Sequence, residues 1–120
     1  MALGGANAFF SVALGAFGAH GLRGQIPDRL LAVYHTGVEY QMYHALALFA
    51  VGAWMERTSG ARYGNLAAGL LLTGILLFSG SLYLLAITGN RSLGIVTPIG
   101  GMAFLAGWAI LVVGMLRTPR

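Results

Sequence analysis

The sequence contains neither cysteine nor lysine, and only 8% of its 120 residues are charged. Without cysteine there are no disulfides and no thiolate chemistry, so cysteine usage indicates no redox compartment. Soluble domains contain about 25% charged residues, and so few charges cannot cover the surface of a globule in water. The only acidic residues are Asp28, Glu39 and Glu56. This composition excludes an ordinary soluble domain.

The positive charge does not indicate a nucleic-acid partner, although the net charge is +4 and the isoelectric point is about 10.1. The seven basic residues are all arginines, which stand singly or in loose pairs between apolar blocks. Nucleic-acid-binding proteins gather such residues on one face or in one tract. We therefore expect anionic lipid headgroups as the counter-charge, and no nucleic acid.

Motifs of the common enzyme classes are also missing. There is no glycine-rich phosphate loop ending in lysine, no carboxylate pair and no Ser–His–Asp set. The sequence therefore predicts no catalytic residue and no cofactor, and a non-enzymatic protein is the favoured interpretation.

Long apolar stretches are abundant: 58% of the residues are hydrophobic and the mean hydropathy is +0.78. A helix needs about 20 apolar residues to cross about 30 Å of hydrocarbon. Backbone groups in lipid must bond within their own segment, so such stretches form helices. The small-residue stretch 16–19 resembles a signal-peptide processing site, but only the α-amino charge precedes it and we expect no cleavage. Four spans are predicted, at about 2–22, 38–55, 63–88 and 96–116.

The first connection is the longest. Pro27 and Asp28 form a helix start, and apolar residues follow at helical spacing. We expect a short amphipathic helix at about 27–36, lying at the membrane interface and bending near Gly37 into the second span. Short remaining links make neighbouring helices antiparallel. The predicted fold is thus an all-α, four-helix, up-down membrane bundle, with residues 1–120 as one domain.

Nineteen glycines suggest close helix packing, because small residues let helix backbones approach each other in a membrane. The spacing places small residues on one stripe of three spans. These sets are Ser11, Gly15 and Ala19 in the first, Ala67, Gly74, Ser81 and Thr88 in the third, and Gly100, Gly107 and Gly114 in the fourth.

Arginine distribution predicts the orientation, since cytoplasmic loops of membrane proteins are enriched in basic residues. The side that holds both termini has Arg57, Arg62, Arg117 and Arg120; the other side has Arg23, Arg29 and Arg91. We expect both termini in the cytoplasm.

Polar residues of the predicted spans converge in one half of the membrane. They are His20 at the end of the first span, Glu39, Tyr40, Gln41, Tyr43 and His44 early in the second, Ser79, Ser81 and Tyr83 in the third, and Thr97 at the start of the fourth. We take these as candidates for a ligand or proton site.

Several roles are open for this group. His35 and Glu39 stand four residues apart on one helix face and make a metal half-site that His20 or His44 would complete. His20 and His44 would alternatively serve as axial ligands of a haem. The simpler alternative is a histidine that hydrogen-bonds a carbonyl or carboxylate. Glu39 stands one residue into its span. This position fits a structural role at the membrane interface as well as it fits a functional role in proton exchange, cation binding or headgroup recognition.

Four segments and His44 carry a family resemblance. The segments are 12–20 (VALGAFGAH), 36–41 (TGVEYQ), 77–83 (LFSGSLY) and 96–101 (VTPIGG). They resemble the YgdD/YwdK-type family of small inner-membrane proteins, grouped as a domain of unknown function. The resemblance covers nearly the whole chain and implies a four-span protein of the bacterial inner membrane, with no established activity. His35 departs from the family pattern, since a related member has glutamine there.

Two functions follow as hypotheses. The first is a non-enzymatic accessory or structural membrane component that packs with lipids, with copies of itself or with another membrane protein. The second is binding or transport of a proton, a metal ion or a small amphipathic molecule through the one-sided polar group.

Overall fold

The computed structural model describes residues 1–119, and within them the chain forms four long helices and no β-strand. We name them α1 (Ala2–Leu22), α2 (Asp28–Arg57), α3 (Ala61–Thr88) and α4 (Arg91–Arg117). Three contain a non-α turn: Gly18–Leu22 and Ile75–Ser79 are π-helical, and Arg91–Ile95 is a 3₁₀ turn. The predicted all-helical fold class is confirmed.

Three of the helices, α1, α3 and α4, are long and apolar enough to cross a membrane. They coincide with the first, third and fourth predicted spans. Helix α2 is not among them, because Glu39, Gln41 and His44 in its middle lower its hydropathy. A fourth span therefore stays a prediction.

Helix α2 is continuous through Gly37, where the sequence predicted a bend between an interfacial helix at about 27–36 and the second span. It runs unbroken for 30 residues from Asp28 to Arg57. Gly37 is buried where a side chain would meet the ring of Tyr83, and its carbonyl accepts a hydrogen bond from Ser79. Glycine weakens a helix by about 1 kcal/mol but does not end it. Packing against α3 holds the helix through this position.

Neighbouring helices are antiparallel and joined by short links. Near the start of α1, Gly4 lies against Ala45 and Phe49 in the second half of α2. Further along α1, the Leu14 carbonyl contacts Tyr34 near the start of α2, so the two helices run in opposite directions. Gly89, with φ of 70°, ends α3 in the left-handed conformation that glycine adopts without strain.

Helices α2 and α3 lie at the centre of the assembly. Helix α1 packs against α2, while α3 packs against both α2 and α4. The larger core lies among α2, α3 and α4 and comprises Ala47, Leu48, Val51, Ala67, Leu71, Ile75, Phe104 and Leu111. A smaller core of Leu30, Tyr34 and Ala86 lies near the first connection.

Large apolar side chains cover the outside. Phe9 is 68% exposed, Leu76 73% and Leu116 82%. Soluble monomers rarely expose such extensive apolar surface. This surface is suited to lipid, in agreement with the membrane interpretation of the sequence.

Small residues lie where helices approach. In α4, Gly100, Gly107 and Gly114 are all buried, Gly100 directly against the backbone of Phe78. In α3, Gly74 lies beneath the ring of Phe104.

The stripe of α1 differs from the one expected. Gly4, Ser11 and Gly18 are buried, Gly15 is half-buried against Val38, and Ala19 is exposed. Seventh-residue spacing keeps Gly4, Ser11 and Gly18 on one helix face, and this face is rotated by roughly 40° about the helix axis from the stripe of Ser11, Gly15 and Ala19. Thr88 of α3 is also exposed.

Candidate functional site

Two serines bind backbone carbonyls in the first half of α2. The hydroxyl of Ser79 in α3 donates to the Gly37 carbonyl at 2.7 Å, and that of Ser11 in α1 donates to the Val38 carbonyl at 2.9 Å. Both serines are fully buried. These bonds fix α2 between α1 and α3 at the same level.

Gln41 continues this connection one turn further along α2. Its Oε1 accepts a 2.6 Å hydrogen bond from the Tyr83 hydroxyl, and its Nε2 lies 3.5 Å from two oxygens of Asn7. The short bond joins α2 to α3, whereas the contact to α1 is at the long limit of hydrogen bonding. Gln41 is therefore committed to protein partners on both sides.

His44 connects α2 to α4 through both of its ring nitrogens. Nδ1 lies 2.7 Å from the Tyr40 carbonyl, and Nε2 lies 3.2 Å from the indole Nε1 of Trp108. A carbonyl accepts only and an indole N–H donates only, so Nδ1 carries the proton and Nε2 accepts. The ring also stacks on Phe104, with centroids 3.5 Å apart. This arrangement leaves neither nitrogen of His44 free for a metal or a haem.

Two further bonds complete the network. The Ser81 hydroxyl lies 2.6 Å from Thr97 Oγ1, which joins α3 to α4, and it also donates to the Phe78 carbonyl. Near the first connection, the Tyr34 hydroxyl donates to the Leu14 carbonyl at 2.6 Å.

The buried polar side chains are paired within the protein, several of them with backbone carbonyls. Within residues 1–119, no buried side-chain nitrogen or oxygen lacks a hydrogen-bond partner. An unpaired polar group in an apolar interior costs several kcal/mol, roughly 2 to 7. Chemically, the arrangement joins neighbouring helices through side-chain hydrogen bonds.

Other candidate residues lie outside the network. His20, Glu39 and Tyr43 are exposed, and His35 is half-buried with its ring beside Tyr34. Tyr40 is 38% exposed and lies against Phe78. The structure thus gives Gln41, His44, Ser79 and Ser81 each a separate hydrogen bond to a neighbouring helix, whereas His20 and Glu39 take part in none of these bonds.

The metal candidates are likewise dispersed. In the described part of the chain, no three His, Asp or Glu side chains come close enough to hold a metal ion. His20 stands at the end of α1, while His44 is bonded to Trp108 in the interior. The half-site of His35 and Glu39 is not completed by either histidine.

Glu39 lies level with the middle of α1. Its neighbour Val38 meets Ser11, which is near the middle of α1. At about 1.5 Å per residue, Glu39 stands about 15 Å from either end of α1. The interfacial position expected for Glu39, one residue into a span, stays a prediction; in the structure Glu39 stands well inside α2, which begins at Asp28.

An aromatic groove opens on the outer side between α2 and α4. Its volume is about 460 Å³, and Trp108 and Tyr40 on its walls are partly exposed. The floor and walls include Tyr40, His44, Phe78, Pro98, Phe104 and Trp108.

Sequence reasoning missed two donors, Tyr34 and Trp108, whose side chains join α2 to its neighbours. A signal for the first existed: Tyr34, Gly37, Gln41 and His44 recur at alternating spacings of three and four residues, the pattern of one helix face. Trp108 had no comparable signal, because its helix is apolar all round.

Comparison with known proteins gives consistent results. Residues 14–101 match the family described as "Protein of unknown function (DUF423)". The chain is 51% identical to the UPF0382 membrane protein YwdK of Bacillus subtilis, over 96% of this chain and 94% of that protein. It is 47% identical to a UPF0382 membrane protein of Staphylococcus epidermidis, with 96% and 93% coverage. A UPF0382 membrane protein of Haemophilus influenzae is 44% identical, with 93% and 89% coverage. No solved structure matches the chain.

Proposed function

Because the chain belongs to the DUF423 family, whose relatives are named membrane proteins, we propose that it is a non-enzymatic accessory or structural component of the bacterial inner membrane. The observation that carries this proposal is the complete pairing of the buried polar side chains within residues 1–119. Catalytic and transport sites keep polar groups available for substrate, whereas these groups bind neighbouring helices.

The proposal includes α2 as a fourth span in an up-down bundle. Its 30 residues extend about 45 Å, more than the roughly 30 Å of hydrocarbon. The polar side chains that lower its hydropathy include Gln41 and His44, which are bonded to α3 and α4. A helix with a polar inner face is accommodated in a membrane when its neighbours satisfy that face.

Glycine packing supports the same arrangement. Gly100, Gly107 and Gly114 form one face of α4, and Gly4 and Gly18 belong to the face of α1 against α2. Small residues at such contacts allow the close approach that replaces the hydrophobic force inside lipid.

The proposed orientation has both termini in the cytoplasm. Arg57, Arg62 and Arg117 lie in the terminal turns of helices on that side, and the sequence adds Arg120. The other side has Arg23, Arg29 and Arg91. Membrane lipids are then the immediate partners of the exposed apolar surface.

The experiment that tests the proposal combines binding and flux. The protein is purified with native lipids, and native mass spectrometry, elemental analysis and visible absorption are measured on the same sample. We expect lipid adducts and no stoichiometric metal or haem. Proton and divalent-cation flux into liposomes is then compared between the wild-type protein and Glu39→Gln.

Equal flux in the two proteins, at the level of empty liposomes, is the expected result. A stoichiometric metal or haem, or a flux that Glu39→Gln abolishes, would refute the non-enzymatic structural role and favour the binding or transport hypothesis.

A second candidate function is binding of a small amphipathic molecule, and the groove between α2 and α4 favours it. The groove is lined by Tyr40 and Trp108, whose apolar rings carry polar tips. Gly101 also lines it, and a Cβ there would meet only Phe78, at 3.9 Å.

Filling the groove tests this function. Gly101→Leu places a large side chain in the groove, and Gly69→Leu adds the same side chain at an exposed site with nothing within 4 Å. Photo-crosslinking with a diazirine-bearing fatty acid should label Trp108-containing peptides in the wild-type and Gly69→Leu proteins but not in Gly101→Leu. Equal labelling in all three would exclude the groove as the site.

A further inference from the structure

Glu39 is a carboxyl group on the outer face of α2. It is exposed and stands about 200° around the helix from Gln41, which faces inward. None of the side-chain hydrogen bonds within residues 1–119 involves it, although the buried polar side chains all have partners. Glu39 therefore differs from the rest of the polar residues of α2.

The depth of Glu39 makes this exposure unfavourable for a lone chain in lipid. Its backbone is level with the middle of α1, about 15 Å from either end of that helix. An ionisable side chain at the centre of a membrane helix costs about 3 kcal/mol or more, and such residues almost always face protein or water. Another polar group must reach Glu39 when the protein is in the membrane.

The surroundings of Glu39 form a continuous helix surface. Tyr43 lies one turn further and is 56% exposed, Leu46 follows and is 58% exposed, and Ala50 is also exposed. These positions lie on the face of α2 directed away from α1, α3 and α4, since the opposite face supplies Gln41, Leu48 and Val51 to the interior. The face combines one carboxyl group with apolar and aromatic area, as helix–helix interfaces in membranes do.

We propose that this face of α2, centred on Glu39, packs against the same face of a second copy of the chain. Two copies inserted in the same orientation are related by a twofold axis along the membrane normal, so each Glu39 meets Glu39 of the partner subunit at the same depth. Two adjacent carboxyl groups can share one proton and form a hydrogen bond between them.

The depth of Glu39 favours a second copy of the chain over a different protein as the partner of this face. Within residues 1–119 the arginines lie at helix ends or in links, so the only basic side chain near the level of Glu39 on this face of α2 is the histidine His35, one turn earlier. A different protein would have to carry a polar residue at that level, whereas symmetry places one there without further requirement. The inference goes beyond the proposed function, which is the same for a monomer and a dimer.

Cysteine cross-linking tests the face directly, because the chain has no cysteine of its own. Leu46→Cys places one thiol on the proposed interface. Leu76→Cys places one on a different helix, α3, where the side chain is 73% exposed. After mild oxidation in native membranes, we expect disulfide-linked dimers for Leu46→Cys and monomers for Leu76→Cys.

Dilution measures the strength of the pairing. Full-length Leu76→Cys protein is labelled with donor or acceptor dyes, and Förster transfer is followed as the lipid-to-protein ratio rises. A hydrogen bond between membrane helices contributes about 0.6 to 2 kcal/mol, so adding Glu39→Leu should raise the dimer Kd about 3- to 30-fold. Glu39→Gln, whose amide both donates and accepts, should retain most of the affinity.

Four outcomes would overturn the proposal. The first two are the absence of Förster transfer at every lipid ratio and equal cross-linking at the two cysteines. The third is a Glu39→Leu protein that dimerises as the wild type does. The fourth is a wild-type protein that co-purifies with a different membrane protein, when that protein is absent from the Glu39→Leu preparation. Since Glu39 is exposed, both variants should keep the wild-type circular dichroism, and a loss of helix would mark a folding defect instead.

Discussion

Replacing Gly100 by alanine should separate helix packing from helix propensity. A Cβ at this position would come 2.8 Å from the Cα of Phe78 and 2.9 Å from the carbonyl carbon of Leu77. Carbon atoms in ordinary contact stand about 3.5 to 4.0 Å apart. Because the obstacle is backbone and not a flexible side chain, α3 and α4 must separate by roughly 0.6 to 1.2 Å.

The neighbouring Gly101 provides a matched control. Its Cβ would meet only Phe78, at 3.9 Å, which is an ordinary contact. Both substitutions gain the same helix propensity, about 1 kcal/mol in favour of alanine. The difference between the two variants therefore isolates the steric cost, which for overpacking is about 1 to 3 kcal/mol.

Equilibrium unfolding in mixed micelles of a mild detergent and dodecyl sulfate, followed by circular dichroism, is the assay. We expect Gly100→Ala to be less stable than Gly101→Ala by about 1 to 3 kcal/mol in the free energy of unfolding. Equal stability of the two variants would refute the close contact between α4 and the backbone of α3.

Three further predictions use the same preparation. Trp108→Phe removes the donor to His44 Nε2 and should lower the free energy of unfolding by about 0.6 to 2 kcal/mol; unchanged stability would contradict that bond. Ser79→Ala loses the bond to the Gly37 carbonyl of α2 and should destabilise by a similar amount, whereas Thr73→Ala, whose hydroxyl bonds within its own helix, should have little effect. Zinc in excess should leave the unfolding midpoint unchanged, because residues 1–119 gather no three metal ligands; a ligand at 100 times its Kd would add about 2.7 kcal/mol.

Much of the fold follows from hydropathy alone. The apolar runs that become α1, α3 and α4 are long, and lipid leaves their backbones no alternative to helix. The continuity of α2 does not follow from the sequence, because Gly37 and the polar residues after it resemble a boundary. Only the contact with Ser79 and Tyr83, distant in sequence, shows why the helix continues.

The candidate site was predictable in its members but not in its roles. Gln41, His44, Ser79 and Ser81 are conspicuous as polar residues in apolar segments, and they share one network. Their bonding partners depend on helix rotation, which the sequence does not specify for an all-apolar neighbour such as α4. Rotation also decides that Glu39 faces outward, only two residues from Gln41, which faces inward.

The measurement that tests the structural role of the polar network most directly is a double-mutant cycle between Gln41 and Tyr83, whose side chains form a 2.6 Å bond from α2 to α3. Gln41→Leu, Tyr83→Phe and the double variant are unfolded under identical conditions. We expect a coupling energy of about 0.6 to 2 kcal/mol, the range of hydrogen bonds between membrane helices. Zero coupling, with both single variants as stable as the wild type, would contradict the conclusion that these polar side chains hold the helices together.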